Sequence, residues 1–260
     1  MTTIALQPPP SIRLTGVQLT LWSQAELLAA IEGWVCRRSK AIVLSGNVHA
    51  FNLAYNQPWL RDFMNRADAV RLDGVGLRLA AAIMGVRTPP RMTWADLAWD
   101  LAAFCEARDF TLFFLGSRPG VAEKAAERLT QVCPRLRVVG VHHGYFDTAP
   151  DSPENETLLR KINTARPDIL IVGLGMPLQE RWLMDNWTRI EAVVALTGGA
   201  VFDYVSGELR RAPRWMTHHG LEWLGRLLVE PRRLWQRYLI GNPLFLWRVL
   251  KQRLGLLKVE

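Results

Sequence analysis

A single carboxylate follows an apolar run in the stretch "AVRLDGVGLRLA", where Asp73 stands directly before two glycines, Gly74 and Gly76. Open α/β sheets bind ligands at the carboxyl ends of their strands, so a carboxylate at this place is suited to act as a general base. Asp is also a preferred N-cap residue, and a helical pattern begins at these glycines. The local sequence is consistent with both roles of Asp73, a catalytic base and a helix cap.

Other apolar runs also end in turns that contain glycine and polar residues. The turns are "SGNVHAFN" after residues 41–45, "SRPG" after 110–116, "MPLQE" after 168–175 and "AVFDYVSGE" after 192–199. If the runs are parallel strands, the turns meet at one rim, where glycines such as Gly116 and Gly175 let a ligand approach the backbone. The helix N-termini that follow favour anions, which indicates a ligand with phosphate groups.

Motifs of other nucleotide-dependent enzymes are incomplete. "GLGMPL" begins like GxGxxG but has Leu178 at the third glycine, so a nicotinamide-linked oxidoreductase is an alternative with weak support. The chain contains no GxxxxGK[ST] loop, no HExxH and no DxD, which argues against an ATPase and against a metal site. A departing diphosphate would therefore need cationic side chains, and the arginines near the C-terminus could supply them.

The elements that must position these residues alternate regularly. Continuous apolar runs at residues 41–45, 69–73, 110–116, 136–141, 168–175 and 192–199 are typical of strands buried on both faces. Helical patterns lie between them, which predicts βαβ units. The predicted fold is α/β, a Rossmann-like, largely parallel sheet flanked by helices. We expect the Pro-rich segment up to about Thr20 to lie over the surface or to add an edge strand.

The net charge of +8 is confined to the end of the chain. Residues 209–260 carry nine Arg and two Lys against three Glu, together with several Trp. We predict an α/β domain at residues 1–205 and a basic, Trp-rich appendage at residues 206–260. Its three short helical patterns are "GLEWLGRLLVE" (220–230), "PRRLWQRYLI" (231–240) and "PLFLWRVLKQRLGLL" (243–257). Basic residues among large aromatic ones indicate contact with an anionic membrane surface. Nucleic-acid binding, a solvated basic face and self-assembly into a homo-oligomer are the alternatives.

The sequence predicts a cytoplasmic protein. The three cysteines, Cys36, Cys105 and Cys133, are far apart, and we expect them to be reduced and buried. The N-terminal residues contain no apolar region typical of a signal peptide. No apolar run reaches the roughly 18 residues of a spanning helix, so we expect any membrane contact to be peripheral.

The motifs together resemble those of a known family. "GLGMPLQE" and "TGGAVFDYVSGELRRAPRWMTHHGLEWLGRLLVEPRRLWQRY", preceded by "SGN", "DGVG", "PPRMTWADL", "FLGSRPGVAEKAAERL" and "HHGYF", resemble the WecG/TagA/CpsF family of bacterial glycosyltransferases. The resemblance implies transfer of a sugar from a UDP-sugar to a polyprenyl-diphosphate-linked saccharide at the cytoplasmic membrane face. It also implies inversion at the anomeric carbon, no metal or other cofactor, no nucleic-acid partner, and a role in making cell-surface polysaccharides.

The resemblance also implies roles for individual residues. Asp73 falls on the proposed base, and Arg226, Arg233 and Arg237 most closely match the arginines that close over the diphosphate. The implied substrate-binding residues are Ser45, Asn47, Arg91, Gly116, Gly175, Gln179 and Glu180. For three of these the residue types also allow structural roles: Asn47 and Gln179 suit turn and helix capping, and Arg91 suits pairing with Asp96. Asp203 and Glu222 are candidates for positioning the arginines.

Three positions depart from the family pattern. Ser45 replaces the threonine of T-P-N, Leu178 replaces the lysine of P-K-Q-E, and Trp94 stands where glycine is usual. All three changes alter the expected sugar pocket. The donor is therefore predicted only as a hexose or N-acetylhexosamine, either of the N-acetylmannosamine type or glucose.

Overall fold

An eight-stranded sheet forms the centre of the protein. The computed structural model describes residues 10–218 and 220–257. The strand order is β1-β2-β4-β3-β8-β7-β5-β6, and every neighbouring pair is parallel except β1 and β2. The strands are β1 (Ser11–Leu14), β2 (Val17–Thr20), β3 (Ala41–Gly46), β4 (Ala69–Leu72), β5 (Thr111–Gly116), β6 (Arg137–His142), β7 (Ile169–Gly173) and β8 (Val194–Thr197).

Helices cover both faces of this sheet, because successive side chains of a strand point to opposite faces. In β3, Ile42 and Leu44 belong to one apolar cluster, and Val43 belongs to the other. The first cluster packs on α2 (Val48–Asn56), α3 (Pro58–Arg66), α4 (Val75–Ile83), α7 (Pro153–Ala165) and α8 (Leu178–Asn186). The second packs on α1 (Gln24–Arg37), α5 (Trp94–Arg108), α6 (Val121–Val132) and α9 (Val201–Ser206).

The predicted α/β class and all six predicted strands are confirmed. The expected edge strand is also present, since β1 lies at the edge of the sheet and forms a hairpin with β2. The expectation of three buried thiols is wrong in part: Cys105 and Cys133 are buried, whereas Cys36 is exposed. Cys36 lies near the end of α1, beyond the residues through which that helix packs on the sheet.

The end of the chain is helical, as predicted, but its helices are divided differently. Two short elements, α10 (Arg214–His218) and α11 (Glu222–Val229), precede α12 (Pro231–Trp235), a π-helical turn (Gln236–Ile240) and α13 (Gly241–Arg253). Residues 231–253 are helical throughout and are called the C-terminal helix below. The prediction of separate helices around Pro243 is therefore wrong. The wider π turn, in which Gly241 N–H donates to the Gln236 carbonyl, leaves room for a proline that cannot donate to the preceding turn.

The C-terminal helix packs against the first apolar cluster. Phe245 and Val249 are fully buried there, and the ring of Phe245 lies edge-on to Phe51 at 5.9 Å between centroids. The Gln252 side chain accepts from Thr15 N–H at 2.8 Å and so connects the helix to the hairpin. The division at residue 206, where α9 ends, stays a prediction. No helix in the described ranges has the length and hydropathy needed to span a membrane.

Candidate active site

A large cleft lies at the carboxyl ends of the parallel strands. Its volume is about 1620 Å³, and the turns after β3, β4, β5, β6, β7 and β8 contribute to its wall. Residues of α11 and the C-terminal helix form the opposite wall. Seven predicted site residues line the cleft, namely Ser45, Asn47, Asp73, Gly175, Arg226, Arg233 and Arg237. The other four, Arg91, Gly116, Gln179 and Glu180, are not part of its wall.

Asp73 lies at the tip of β4 with its side chain 22% exposed. Its backbone N–H donates to the Gly46 carbonyl at 2.8 Å, which fixes the residue beside the end of β3. The N-cap of α4 is Gly74 and has no side-chain cap, so Asp73 does not fill the capping role. The carboxylate is therefore free to face the cleft, which suits the role of a base better than that of a cap.

A buried arginine lies behind this carboxylate. Arg71 is 2% exposed, and its Nη2 lies 3.4 Å from Asp73 Oδ2. Its Nη1 donates to the Met92 carbonyl at 3.1 Å, and its guanidinium lies 4.9 Å from the centroid of the Trp94 ring. An ion pair on the inner side orients Asp73 and compensates part of the cost of burying the guanidinium. The sequence did not single out Arg71, because it lies inside an apolar strand run.

Ser45 takes part in a buried hydrogen-bonded junction. Its backbone N–H donates to Thr197 Oγ1 at 2.8 Å, and its hydroxyl donates to the Thr197 carbonyl. The Trp94 indole N–H donates to Ser45 Oγ and to the Thr197 carbonyl, both at 2.9 Å. The junction joins β3, β8 and α5 at the floor of the cleft. Ser45 and Trp94, two of the three residues that depart from the family pattern, thus contact each other directly.

Asn47 caps α2 and also faces the cleft. Its side-chain oxygen accepts from Ala50 N–H at 3.1 Å, as the capping alternative expected. Its amide nitrogen lies 3.8 Å from the sulfur of Met176, which follows β7. The cap fixes the orientation of the amide, so its N–H₂ group points toward the cleft residues of the β7 turn.

Gln179 connects the two turns that follow β7 and β8. It is fully buried, and its Oε1 accepts from the N–H groups of Gly175 at 3.2 Å and Gly199 at 3.1 Å. Its Nε2 donates to Glu180 Oε1 at 2.8 Å. Burial raises the pKa of Glu180 to about 7, and within residues 10–218 and 220–257 no group forms a hydrogen bond with Glu180 Oε2. Both residues therefore shape the cleft from behind its wall.

Gly116 and Gly175, the two glycines predicted to belong to the site, are required by the backbone for different reasons. A Cβ at Gly116 would lie 2.4 Å from the Gly173 carbonyl oxygen, so this glycine is required by the close approach of β5 and β7. Gly175 has a φ of +83° and open space where a Cβ would project into the cleft wall. Only Gly175 thus leaves backbone open to a ligand in the way that the sequence predicted for both.

The three predicted arginines at the end of the chain meet at the cleft. Burial lowers the pKa of the Arg237 guanidinium. The positive charges of Arg226 and Arg233 lower this pKa further, whereas Asp73 raises it, so the four charged groups act on one another. Arg233 Nη1 pairs with Glu230 Oε1 at 3.1 Å, and Arg226 Nη2 lies 3.5 Å from Glu230 Oε2. Arg226 Nε is buried and has no hydrogen-bond partner among the residues that the structure describes. Two carboxylates, Asp73 and Glu230, therefore act on three guanidinium groups, which leaves a net charge of +1 among these five side chains for an anionic ligand.

Arg91 lies in a network that fastens α11 to the segment before α5. Its Nη1 is 2.7 Å from Glu222 Oε2, and its Nη2 is 3.7 Å from Asp96 Oδ2. Arg211 binds both oxygens of Asp96 and lies 3.3 Å from Glu222 Oε1. The alternative expectation for Arg91, an ion pair with Asp96, is confirmed, and Glu222 is a second and nearer partner. Glu222 thus pairs with Arg91 and Arg211 rather than with the arginines expected to meet the diphosphate. Asp203 accepts from the Ser117 hydroxyl at 2.9 Å.

Two further cleft residues were missed by the sequence analysis. His49 lies in the first turn of α2, and burial together with Arg237 lowers its pKa to about 4, so its imidazole is neutral at pH 7. Burial raises the pKa of Tyr204 to about 12, and its ring lies 5.6 Å from the Arg226 guanidinium. Both supply neutral hydrogen-bonding groups beside the arginines. The position of His49 two residues after Asn47, in the same turn at the end of a predicted strand, would have indicated that it lies in the site.

Metal-binding side chains do not cluster in the part of the chain that the structure describes. Within it, no three His, Cys, Asp or Glu side chains are placed to hold one ion.

Comparison with known proteins gives one family and a consistent set of relatives. The model of the glycosyl transferase WecG/TagA/CpsF family matches residues 12–259. Proteins from Staphylococcus aureus strains NCTC 8325 and MRSA252 are each 24% identical to the chain over 251 residues. The alignments cover 96% of this chain and 96% of each relative. Both relatives are named N-acetylglucosaminyldiphosphoundecaprenol N-acetyl-beta-D-mannosaminyltransferase.

Proposed function

Because the chain belongs to the WecG/TagA/CpsF family of glycosyl transferases, we propose that it transfers a sugar from a UDP-sugar to a polyprenyl-diphosphate-linked saccharide. The names of the Staphylococcus aureus relatives support an acceptor of this kind, an N-acetylglucosamine on undecaprenyl diphosphate. The transferred sugar is a hexose or N-acetylhexosamine, and the product serves the synthesis of a bacterial cell-surface polysaccharide. The observation that carries the proposal is the position of Asp73 opposite three arginines in one cleft.

Asp73 acts as the general base. The acceptor hydroxyl gives its proton to the Asp73 carboxylate while its oxygen attacks the anomeric carbon of the donor. The bond from that carbon to the diphosphate breaks at the same time, and UDP leaves with the electron pair. Attack and departure occur on opposite faces of the sugar, so the configuration inverts. Arg71 keeps the carboxylate oriented through the transfer.

The departing diphosphate is neutralised by Arg226, Arg233 and Arg237. Guanidinium groups bind phosphate oxygens through paired hydrogen bonds, and they stabilise charge that develops as the bond to UDP breaks. This supply of positive charge replaces a divalent ion, so the proposed reaction needs no metal. The buried, unpartnered Arg226 Nε is a donor that a phosphate oxygen can satisfy.

The donor sugar and nucleotide contact the turns at the rim of the sheet. Asn47 presents its amide N–H₂ group, and Gly175 presents open backbone, so both are proposed to bind the donor directly. Ser45 is assigned an indirect role, because its hydroxyl is already bound to Trp94 and Thr197. Gln179 and Glu180 hold the rim together from behind, and Arg91 holds α11.

The enzyme works at the inner face of the cytoplasmic membrane, where it is peripherally bound. The outer side of the C-terminal helix exposes Trp235, Leu239, Ile240, Trp247 and Leu250. Residues 231–259 include seven Arg and Lys and no Asp or Glu. Each basic residue near an anionic membrane surface contributes about 1 kcal/mol to binding. This combination supports a lipid surface rather than nucleic acid as the partner of the helix.

The test is a donor screen on the full chain. UDP-sugars are offered with a short-chain polyprenyl-diphosphate-sugar, and the products are identified by mass spectrometry. We expect one UDP-hexose or UDP-N-acetylhexosamine to be consumed. We also expect Asp73→Asn to lower turnover by about 10² to 10⁴ while UDP still raises its melting temperature.

The matched control is Asp62→Asn, the same substitution at an exposed carboxylate of α3, which should retain wild-type turnover. Turnover of Asp73→Asn at the wild-type rate would overturn the assignment of the base. Absence of any UDP effect on the wild type, with no product from any donor, would overturn the proposed reaction.

A further inference from the structure

Helix α4 has an apolar outer side. Val75 and Leu79 are 40% and 49% exposed, and Ala82, one turn further on, is also exposed. The inner side of the helix is formed by Leu77, Ala80 and Ala81, which are fully buried. A surface helix normally carries polar or charged residues on its outer side. A helix that is apolar on both sides is expected where a second, non-aqueous surface covers it.

The outer side of α4 lies at the mouth of the cleft, next to the C-terminal helix. The two helices pack on each other, and Leu77 shares a buried cluster with Phe245 and Val249. Val75 and Leu79 also line the cleft, as does Leu246 of the C-terminal helix. The opening toward Asp73 is therefore bordered by apolar side chains from two elements that are far apart in the sequence.

The charged residues of α4 and of the loop after it are basic. Residues 74–95 contain three arginines and no Asp or Glu, and one of the three, Arg91, is paired with Glu222 and Asp96. Arg78 and Arg87 line a separate groove of about 540 Å³ together with Ala82. Arg78 Nε donates to Thr88 Oγ1 at 3.3 Å, and neither arginine forms an ion pair with any residue of the described ranges. The region thus offers unpaired guanidinium groups beside an apolar helix side.

We propose that α4 and the groove of Arg78 and Arg87 dock on an anionic phospholipid bilayer, as a membrane-binding element distinct from the C-terminal helix. Val75, Leu79 and Ala82 insert among the acyl chains, and the two arginines contact headgroup phosphates. The inference rests on the proposed function, because a lipid-linked acceptor requires the cleft to open at a membrane.

Charge favours a bilayer over two other occupants of this surface. A second copy of the same face would place arginines against arginines without a compensating acid. A nucleic acid would match the arginines but would gain nothing from the exposed Val75 and Leu79. An anionic bilayer satisfies both features. With α4 and the C-terminal helix side by side at the mouth, the acceptor diphosphate can enter the cleft from the membrane surface.

Vesicle co-sedimentation of the full chain tests the proposal. Ala82→Glu should weaken binding to vesicles of phosphatidylcholine with phosphatidylglycerol by at least about fivefold, the factor for one unit charge near an anionic surface. The double variant Arg78→Gln with Arg87→Gln should weaken it more, by about thirtyfold for two unit charges, while the basic residues of the C-terminal helix keep it above the binding to phosphatidylcholine alone. The matched control is Val132→Glu, a charge at an exposed apolar residue of α6, which should bind as the wild type does.

The outcomes separate this inference from the proposed function. The role of α4 is supported if Ala82→Glu binds UDP and turns over a water-soluble, short-chain acceptor normally but binds vesicles at least about fivefold more weakly than the wild type. Ala82→Glu that binds vesicles like the wild type overturns it. If light scattering shows a wild-type dimer that Ala82→Glu dissociates, the face joins two copies and the proposal is wrong. If no donor is consumed while vesicle binding still depends on Ala82, only the proposed reaction fails.

Discussion

The buried carboxyl of Glu180 should make the stability of the protein depend on pH. Burial raises its pKa from 4.5 to about 7, because the loss of water around the carboxylate outweighs the hydrogen bond from Gln179. The folded protein then keeps a proton that the unfolded chain releases between pH 4.5 and pH 7. The free energy of unfolding therefore falls as the pH rises through this interval. With about 1.4 kcal/mol for each pKa unit, the total loss is about 3 kcal/mol.

His49 acts in the opposite direction over nearly the same interval. Its pKa falls from 6.5 to about 4 in the folded protein, chiefly through burial. Between these values the unfolded chain holds the extra proton, so the free energy of unfolding rises with pH. The two contributions compensate each other in the wild type. The difference between the wild type and a variant is needed to separate them.

Glu180→Gln removes one of the two titrations and keeps an oxygen that can accept from Gln179 Nε2. Relative to the wild type, the variant should gain about 2 to 3 kcal/mol in free energy of unfolding between about pH 5 and about pH 8. Urea unfolding at several pH values measures this gain. Glu127→Gln, at an exposed residue of α6, should follow the wild type throughout. A difference for Glu180→Gln that does not change with pH would refute the reasoning.

Two further substitutions test the site. Arg226→Gln should lower kcat/KM by about 10² to 10³ through loss of charge on the leaving diphosphate, whereas Arg232→Gln, at an exposed arginine outside the cleft wall, should leave it within a few-fold. Equal losses in steady-state assays of the two variants would contradict that role. Trp94→Phe removes the indole N–H that donates to Ser45 and Thr197, so urea unfolding should show about 1 to 3 kcal/mol less stability. An unchanged midpoint would show that the junction does not stabilise the fold.

Much of the architecture follows from local sequence signals. The strands could be predicted because each is a continuous apolar run between glycine turns, and Asp73 could be placed because it ends such a run. Arg71 could not be anticipated, since its partners, the Met92 carbonyl and the Trp94 ring, meet it only through tertiary packing. The role of Gln179 depends on the backbone N–H groups of Gly175 and Gly199, which are 24 residues apart and are brought together by β7 and β8.

The continuity of the C-terminal helix was also beyond local signals. Pro243 marks a break by its missing N–H, but the π turn before it absorbs the ring without ending the helix. The predicted boundary near Gly241 and Pro243 therefore reflected a real irregularity of the backbone and misjudged its size. Packing of Phe245 against Phe51 holds the segment in line.

The unbroken C-terminal helix contributes both to the wall of the cleft and to the apolar core. Its N-terminal half carries Arg233 and Arg237 into the cleft, and its C-terminal half packs on α2 and α4 through Phe245 and Val249. Because no loop separates the halves, a small roll of the helix about its own axis would redirect both guanidinium groups together. A surface that contacts the exposed Trp235 and Trp247 therefore acts on the same rigid element that orients Arg233 and Arg237 in the cleft.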